Sequence, residues 1–195
     1  MRTYEYILAC LPEIERHPVT GTLSGAELLR EEIRSRCEGK DLETVDFLLE
    51  GLSRGGDEEF YRRALSHRER FIREFFAFDL VLRNRKARYT NLALGRPAEQ
   101  DQILLMDPDA EQEALVDEAL GREGALEKEK ALDDLLWGRT EDLGALEVLS
   151  LALVLGFLVR LSIAERWSVL DPATGREFLA RLVSGMRDSY KNKND

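Results

Sequence analysis

The chain has few side chains of the kinds that bind metals or act as nucleophiles. Its two histidines are His17, beside a proline, and His67, in the middle of a long helical pattern, while Cys10 and Cys37 form no CxxC pair and have no histidine near them in sequence. Zinc sites and Ser-His-Asp triads need several such groups in a defined arrangement. We therefore expect no metal ligand and no catalytic residue here. Two isolated thiols are typical of a reduced, cytoplasmic protein.

Glycines and carboxylates likewise form no pattern typical of an active site. The segment GLSRGGDEE, residues 51–59, lacks the lysine and the spacing of a phosphate-binding loop, and no ExxH pattern suggests a di-iron bundle. We predict that the protein is not an enzyme and needs no cofactor. The rival hypothesis is a carboxylate pair that converges in a cleft of the fold, because spatial convergence is invisible in a sequence.

Basic side chains concentrate in FDLVLRNRKARYTNLALGR, residues 78–96, although the whole chain has a net charge of −10. Residues 62–96 carry a net charge of +7 and residues 97–147 one of −12. A helix would point the basic side chains of this stretch in widely different directions rather than along one stripe. The acidic remainder of the chain would repel phosphates. We therefore expect no binding of nucleic acid.

Two interpretations of the basic stretch remain open. It either packs against residues 97–147 and is neutralised by them, or it docks on an acidic surface of another protein. An unpaired guanidinium on the apolar side of a helix is costly, so Arg85 should meet a carboxylate or reach solvent at a gap. Docking would use charge for orientation and the neighbouring Leu92 and Leu94 for affinity. The candidate partner-binding residues are Arg83, Asn84, Arg85, Lys86, Arg88, Asn91 and Arg96.

Apolar periodicity predicts that these residues are positioned by an all-α fold, an antiparallel helical bundle of six to eight helices. The central element is one long helix over about 58–95, capped by Asp57 and stopped by Gly95. Along it, a seam of apolar residues recurs every three or four positions and is interrupted by Arg85. The seam residues are Phe71, Phe75, Phe78, Leu82, Tyr89 and Leu92.

The other elements are shorter. Residues 4–11 could be strand or helix, and helix is favoured because no partner strand is evident. Further helices are predicted over about 25–37, 41–53 and 145–168. Another begins after the cap Asp109, is interrupted at 121–124 and resumes through Trp137. A last amphipathic helix carries Phe178, Leu179, Leu182, Val183 and Met186. Trp137 and Trp167 are expected in the core. Residues 1–56 are predicted to form a small N-terminal helical lobe against a main bundle of residues 57–195.

The longest apolar run is too short to span a membrane. It extends from Val148 to Val159, and its 12 residues rise about 18 Å as a helix, against about 30 Å for the hydrocarbon core of a bilayer. The N-terminal ILAC, residues 7–10, is preceded by Glu5 and lacks the basic start and long apolar core of a signal peptide. We expect a cytoplasmic protein.

Four segments resemble a family of bacterial proteins of unknown function. They are YEYILACLPEI at 4–14, the Phe-x-x-x-x-Arg-Asn block within residues 78–96, the Leu-Asp-x-Leu-x-Trp element within residues 127–143, and LSIAERWSVLDPATGREFLARLV at 161–183. Members of that family are typically encoded among the subunits of bacterial V-type ATP synthases. The resemblance implies a helical, non-catalytic counterpart of part of the C subunit, which connects the central stalk to the membrane ring. It also implies that partners would be stalk or ring subunits, with membrane association at most peripheral and through them.

Overall fold

A computed structural model describes residues 3–18, 25–107 and 109–169. Over these residues it has eight helices and no strand, which confirms the all-α fold. The helices are α1 (Thr3–Cys10), α2 (Ala26–Arg36), α3 (Gly39–Arg54), α4 (Glu58–Leu65), α5 (Arg70–Ala93), α6 (Ala110–Leu120), α7 (Ala125–Gly144) and α8 (Leu151–Val169). The segment at 4–11 is thus helical up to Cys10. The last amphipathic helix, predicted around Phe178, lies outside the described residues.

Helix α8 lies at the centre of the fold because its first part, residues 151–159, is apolar on every side. Thirteen of its 19 residues are buried, and Leu155, Leu158 and Leu161 are fully enclosed. It packs against α7 and against α1, α2 and α3. One continuous apolar cluster therefore joins α8 to the described part of residues 1–56, which packs directly on the bundle. None of the helices in the described ranges combines the length and apolarity needed to cross a membrane.

The prediction of one continuous helix from 58 to 95 is wrong. The chain turns at 66–69, between α4 and α5. The backbone N–H of Glu69 donates to Nδ1 of His67 at 3.1 Å, and the guanidinium of Arg73 donates to the carbonyl oxygen of His67 at 2.7 Å. The His67 ring also stacks on Phe47 of α3, and burial lowers the pKa of His67. These local hydrogen bonds and the stacking on Phe47 stabilise a turn in a stretch that contains neither glycine nor proline.

This turn folds α4 back along α5. In a straight helix, Tyr61 and Asp79 would be about 27 Å apart. Instead the Tyr61 hydroxyl donates to the Asp79 carboxylate at 2.6 Å. The rings of Phe60 and Phe76 meet edge to face with centroids 4.8 Å apart. Gly51 of α3 makes room for this pair, since a Cβ at that position would overlap both rings.

Helix α5 is the longest described helix, with 24 residues, and it reaches two apolar clusters. Phe71 and Phe75 join the core around α8, whereas Phe78 and Leu82 join a smaller cluster with α6 and α7. The predicted seam is therefore buried as far as Leu82. Beyond it the seam is exposed, since Tyr89 is 42% and Leu92 58% exposed. Helix α6 has only 11 residues and does not cover the whole of α5.

Side-chain and glycine signals located several helix ends correctly. The carboxylate of Asp57 accepts the N–H of Phe60 and that of Asp109 accepts the N–H of Glu111, which confirms both caps. Helix α6 ends at Leu120 and α7 begins at Ala125, so the interruption at 121–124 is also confirmed.

The predicted end near Trp137 and the start of the next helix near 145 are wrong. Helix α7 continues to Gly144, and α8 begins only at Leu151. Trp137, Thr140 and Leu143 are all buried, and the Thr140 hydroxyl donates to the carbonyl oxygen of Trp137 at 2.7 Å. Packing of this face keeps the segment helical despite its two glycines, because tertiary contacts override intrinsic propensity.

Both tryptophans lie in the core, as predicted. Trp137 is 5% and Trp167 7% exposed. The indole N–H of Trp167 donates to Asp133 at 2.7 Å, and its ring packs edge-on against His17 with centroids 5.1 Å apart. Trp167 therefore ties α8 to α7 and to the segment after α1.

Replacing Trp167 with alanine should lower the free energy of unfolding by about 3–5 kcal/mol, because it leaves a cavity and removes the donor to Asp133. Denaturant unfolding followed by circular dichroism measures the loss. The control is Trp167→Phe, which keeps a ring in the site, and Asp133 retains its contact with Arg166. A loss of less than about 1 kcal/mol for the alanine variant would contradict the core role of Trp167.

Candidate protein-binding surface on helix α5

Arg85 is paired inside the protein. Its Nε donates to Asp117 at 2.8 Å and its Nη1 donates to Glu113 at 3.1 Å, both on α6. These contacts raise the pKa of Arg85, chiefly through the hydrogen bond to Asp117. The expectation that this arginine would meet a carboxylate is confirmed. It joins α5 to α6 at the edge of their shared apolar cluster.

Lys86 and Arg88 also face carboxylates of the acidic segment. The Lys86 ammonium donates to Glu129 of α7 at 3.0 Å, and Arg88 lies 4.0 Å from Glu99. All four side chains are at least 40% exposed, so each pair contributes about 0.2–1 kcal/mol at most. Together with Arg85, these pairs neutralise much of the basic stretch with residues from the 97–147 segment.

Asn84 and Asn91 hold the loop that follows α5. The Asn84 side chain donates to the carbonyl oxygen of Ile103 at 2.8 Å and accepts the N–H of the same residue at 2.9 Å. The Asn91 amide donates to the carbonyl oxygen of Gln100 at 2.7 Å, and Asn91 is 3% exposed. Their amide groups are thus engaged within the fold. A contact of these residues with a partner stays a prediction.

The end of α5 exposes apolar side chains on a rigid turn. Leu92 is 58% and Leu94 59% exposed. Gly95 has a φ of 68°. Its N–H donates to the carbonyl oxygen of Leu92 at 3.2 Å, and the N–H of Arg96 donates to the carbonyl oxygen of Asn91 at 2.8 Å. This is the Schellman arrangement, in which a left-handed glycine closes a helix. We call Leu92, Leu94 and Arg96 the α5 tip.

Arg83 and Arg96 differ from the other basic residues of the stretch. Both are exposed, and neither guanidinium lies within 4.0 Å of a carboxylate in the described part of the chain. Arg96 belongs to the α5 tip, whereas Arg83 lies at a groove on another side of α5. Among the residues that the structure describes, five of the seven candidates are thus engaged inside the fold, while Arg83 and Arg96 have no ion pair.

A groove of about 1360 Å³ runs between α3, α5 and α8. Its floor includes Phe75 and Phe76 of α5, and its walls include Leu52 of α3 and Ile163 of α8. Charged residues of both signs stand around it, among them Arg30, Arg34, Asp46, Arg83, Glu165 and Arg166. Sequence reasoning missed this groove because its lining residues belong to helices that lie far apart in the sequence.

Tyr61 and Asp79 form a polar pair in the groove. Burial raises the pKa of Asp79, against the opposing effects of the Tyr61 hydrogen bond and the charges of Arg83 and Lys86. Burial, followed by the charge of Asp79, also raises the pKa of Tyr61, so its hydroxyl stays a donor at neutral pH. The sequence signal for this pair was Asp79, an acidic residue within the apolar run FFAFDLVL, residues 75–82.

No three His, Cys, Asp or Glu side chains within 3–18, 25–107 and 109–169 converge in a way that could hold a metal ion. The groove is lined by the buried carboxylate of Asp79 beside Tyr61 and by the carboxylates of Glu27, Asp46, Glu50 and Glu165. Its chemistry is that of an apolar cleft with a charged rim, which suits the binding of another polypeptide segment.

Replacing Asp79 with asparagine should remove a pH-dependent loss of stability. An acid with a raised folded-state pKa binds its proton more tightly in the fold, so stability falls as the pH rises from about 4, the ordinary carboxyl value, through the raised pKa. Asparagine still accepts the Tyr61 hydrogen bond but cannot ionise. We expect Asp79→Asn to be at least as stable as the unaltered chain at pH 7, by denaturant unfolding between pH 4 and 8.

Tyr61→Phe provides the matched control for this experiment. It removes the donor that stabilises the ionised Asp79, so the loss of stability with rising pH should become steeper. Parallel pH profiles for Asp79→Asn and the unaltered chain would contradict the raised pKa. A destabilisation above about 1 kcal/mol at pH 7 would show that the ionised carboxylate stabilises the fold.

Comparison with known proteins gives one finding, and it concerns the C-terminal part of the chain. No curated protein and no solved structure matches this sequence. Residues 111–190, which include nearly all of α6 and the whole of α7 and α8, match the model of a family described as "Protein of unknown function (DUF2764)".

Proposed function

We propose that this protein is a non-catalytic accessory or connector subunit of a V-type ATP synthase, and that it binds its partner through the α5 tip. Its partners would be stalk or ring subunits on the cytoplasmic side, and its association with the membrane would be peripheral and through them. The observation that carries the proposal is the exposure of Leu92 and Leu94 beside Arg96, which has no ion pair with any described residue.

The α5 tip has the composition of a small docking site. Apolar side chains give an interface most of its affinity, and a flanking charge sets orientation and association rate. The Schellman turn fixes the backbone of the tip before binding, so less conformational entropy is lost on association. Tyr89, one turn before Leu92, adds a further 42% exposed aromatic ring, which the ammonium of Lys128 faces at 4.6 Å from the centroid.

The link to a V-type ATP synthase rests on the resemblance of the four segments named above to a family encoded among its subunits. The match over residues 111–190 is to a family of unknown function, and it supports kinship in that part of the chain. The all-α fold is compatible with a subunit that works by contact.

A second candidate is a self-contained cytosolic adaptor with no role in a rotary ATPase. The specific observation in its favour is the pairing of Arg85, Lys86 and Arg88 with carboxylates of the same chain. Under this alternative the basic stretch exists to join α5 to its neighbours. The two candidates differ in what happens when the α5 tip is changed.

Changing Leu92 and Leu94 together to serine should reduce co-purification with V-type ATP synthase stalk or ring subunits at least tenfold. The reason is that each leucine would lose about 1.5–3 kcal/mol of burial at the interface. Affinity purification of the tagged full-length chain from its native cells, followed by quantitative mass spectrometry of these subunits, measures the effect. Thermal unfolding should change little, because both side chains are already exposed in the free protein.

The matched control is Leu146→Ser, in the connection between α7 and α8, where Leu146 is 93% exposed. It removes a leucine from the surface without touching the α5 tip and should leave co-purification unchanged. If ATP synthase subunits are absent from the material purified with the unaltered chain, the connector proposal is wrong. If they are present but unaffected by the serine variant, docking at the α5 tip is wrong.

Charge reversal separates the basic residues used inside the fold from those left for a partner. Arg85→Glu places three carboxylates together at the α5–α6 contact and should lower the free energy of unfolding by about 1–3 kcal/mol. Arg96→Glu should change it by less than about 0.5 kcal/mol and still weaken co-purification. Denaturant unfolding and the purification assay, run on both variants, give the comparison. Equal effects of the two variants on stability would contradict this division.

A further inference from the structure

We propose that the turn at 66–69, between α4 and α5, is an acid-sensitive device, in which protonation of His67 loosens α4 from the helices beneath it. The inference concerns a motion within the chain, and it is independent of the proposed docking at the α5 tip. It rests on the hydrogen bonds of the turn, on the charges that face the imidazole, and on the way in which α4 is held at its two ends.

The imidazole of His67 supports the start of α5 only in its neutral form. Its Nδ1 accepts the backbone N–H of Glu69, the residue that precedes α5, at 3.1 Å. The carboxylate of Glu69 makes no capping hydrogen bond, so the imidazole supplies the side-chain acceptor at this helix end. A protonated imidazole carries a hydrogen on both ring nitrogens and can no longer accept. Protonation would therefore replace a hydrogen bond with two N–H groups that face each other.

The charges within the turn and the first part of α5 also oppose protonation. Burial, followed by the positive charge of Arg68, lowers the pKa of His67. Arg73 acts in the same direction, and Glu69 acts against it without reversing the outcome. The start of α5 carries the positive end of the helix dipole, which likewise disfavours a cation at this place.

The groups that face the imidazole from α3 and α4 do not offset this effect. Helix α3 presents the neutral ring of Phe47, which stacks on the imidazole with centroids 5.0 Å apart. An aromatic ring attracts a cation that lies over it, and this attraction favours a charged imidazole. The guanidinium of Arg63 in α4 already lies 5.2 Å from the centroid of the same ring, so a second cation there would also be repelled by the first.

Helix α4 is a short element that depends on its contacts. It has eight residues, and a helix of that length is unstable in water by itself. Before it, Gly55 has a φ of 64° with open space at the position of a Cβ, and Gly56 follows directly, so the chain can pivot at this end. At the other end, the turn at 66–69 fixes the direction in which α4 meets α5. Weakening this turn therefore favours local opening of α4.

The imidazole belongs to the same set of rings as the inner face of α4. Phe60 of α4 is 5% exposed and stacks on Phe47 with centroids 4.9 Å apart. Phe47 stacks in turn on His67, so a change at the imidazole acts directly on the ring that α4 covers. Phe60 also meets Phe76 of α5 edge to face. Opening of α4 would uncover these rings, whereas the residues of α8 enclosed by α1, α2 and α7 need not move.

The lowered pKa fixes the direction of the pH effect. The closed turn binds the proton less tightly than the open one, so His67 stabilises the closed state fully above about pH 6.5, its ordinary pKa. This contribution is lost as the pH falls through the lowered pKa. Asp79, which accepts from Tyr61 of α4, titrates in the opposite sense, because protonation of its buried carboxyl favours the folded state. The test therefore uses Asp79→Asn, which cannot ionise, as its background.

Hydrogen exchange followed by mass spectrometry measures the opening of α4 in the full-length chain. After correction for intrinsic exchange rates, the protection factors of the amides of residues 58–65 should fall at least threefold between pH 7.5 and pH 5. The matched control is His67→Asn, whose side-chain oxygen can accept the Glu69 N–H but cannot ionise. In this control the protection of α4 should change by less than about 1.5-fold over the same range. The change in α8 should be equal in both chains.

A second neutral variant, His67→Gln, provides the comparison if circular dichroism shows that His67→Asn does not fold. Three results would overturn the proposal. One is α4 protection that does not depend on pH in the chain that keeps His67. Another is an equal fall in the neutral variant, which would assign the acid sensitivity to other groups. The third is a joint loss of protection in α4 and α8 that requires His67, which would show global unfolding. Failure of the α5 tip experiment would not bear on these results, because the tip lies at the opposite end of α5.

Discussion

Residues 151–159 of helix α8 are apolar on every side, and each Å² of apolar surface left in water forgoes about 25 cal/mol. The other helices are arranged to meet this constraint. Helices α1, α2 and α3 cover one side and α7 another, while the first half of α5 contributes aromatic rings to the same cluster. The groove is the sector between α3, α5 and α8 that this arrangement leaves open, and Val169 shows that the open sector includes the end of α8 itself.

Local chemistry made much of the fold predictable. Asp57 and Asp109 as caps, Gly95 as a stop and the burial of Trp167 all follow from short patterns whose physical basis lies in the residues themselves. The turn at 66–69 was not predictable in this way. It depends on the ring of His67 and on a stacking partner in α3, and residues so far apart in sequence leave no local signal.

At the candidate site, too, some contacts were predictable from the sequence and others were not. The position of Arg85 on an apolar seam required a carboxylate, and two are present. The contacts of Asn84 and Asn91 with the following loop were not predictable. An asparagine that faces solvent and one that binds a loop can occupy the same position in a helical pattern. The hydrogen bond between Tyr61 and Asp79 could not be predicted, because the expected continuous helix would have kept the two residues far apart.

Pairing within the chain also decides what the protein can offer to a partner. Before Lys86 or Arg85 could bind another protein, it would have to leave its own carboxylate, so the exchange would gain little. Leu92 and Leu94 have no competing contact of that kind and are already held in place by the turn at Gly95. In the proposed docking, the basic helix is largely neutralised by the acidic segment of the same chain, so affinity would come from apolar contact. In the proposed docking, Arg96, which has no ion pair with any described residue, would fix the orientation of that contact.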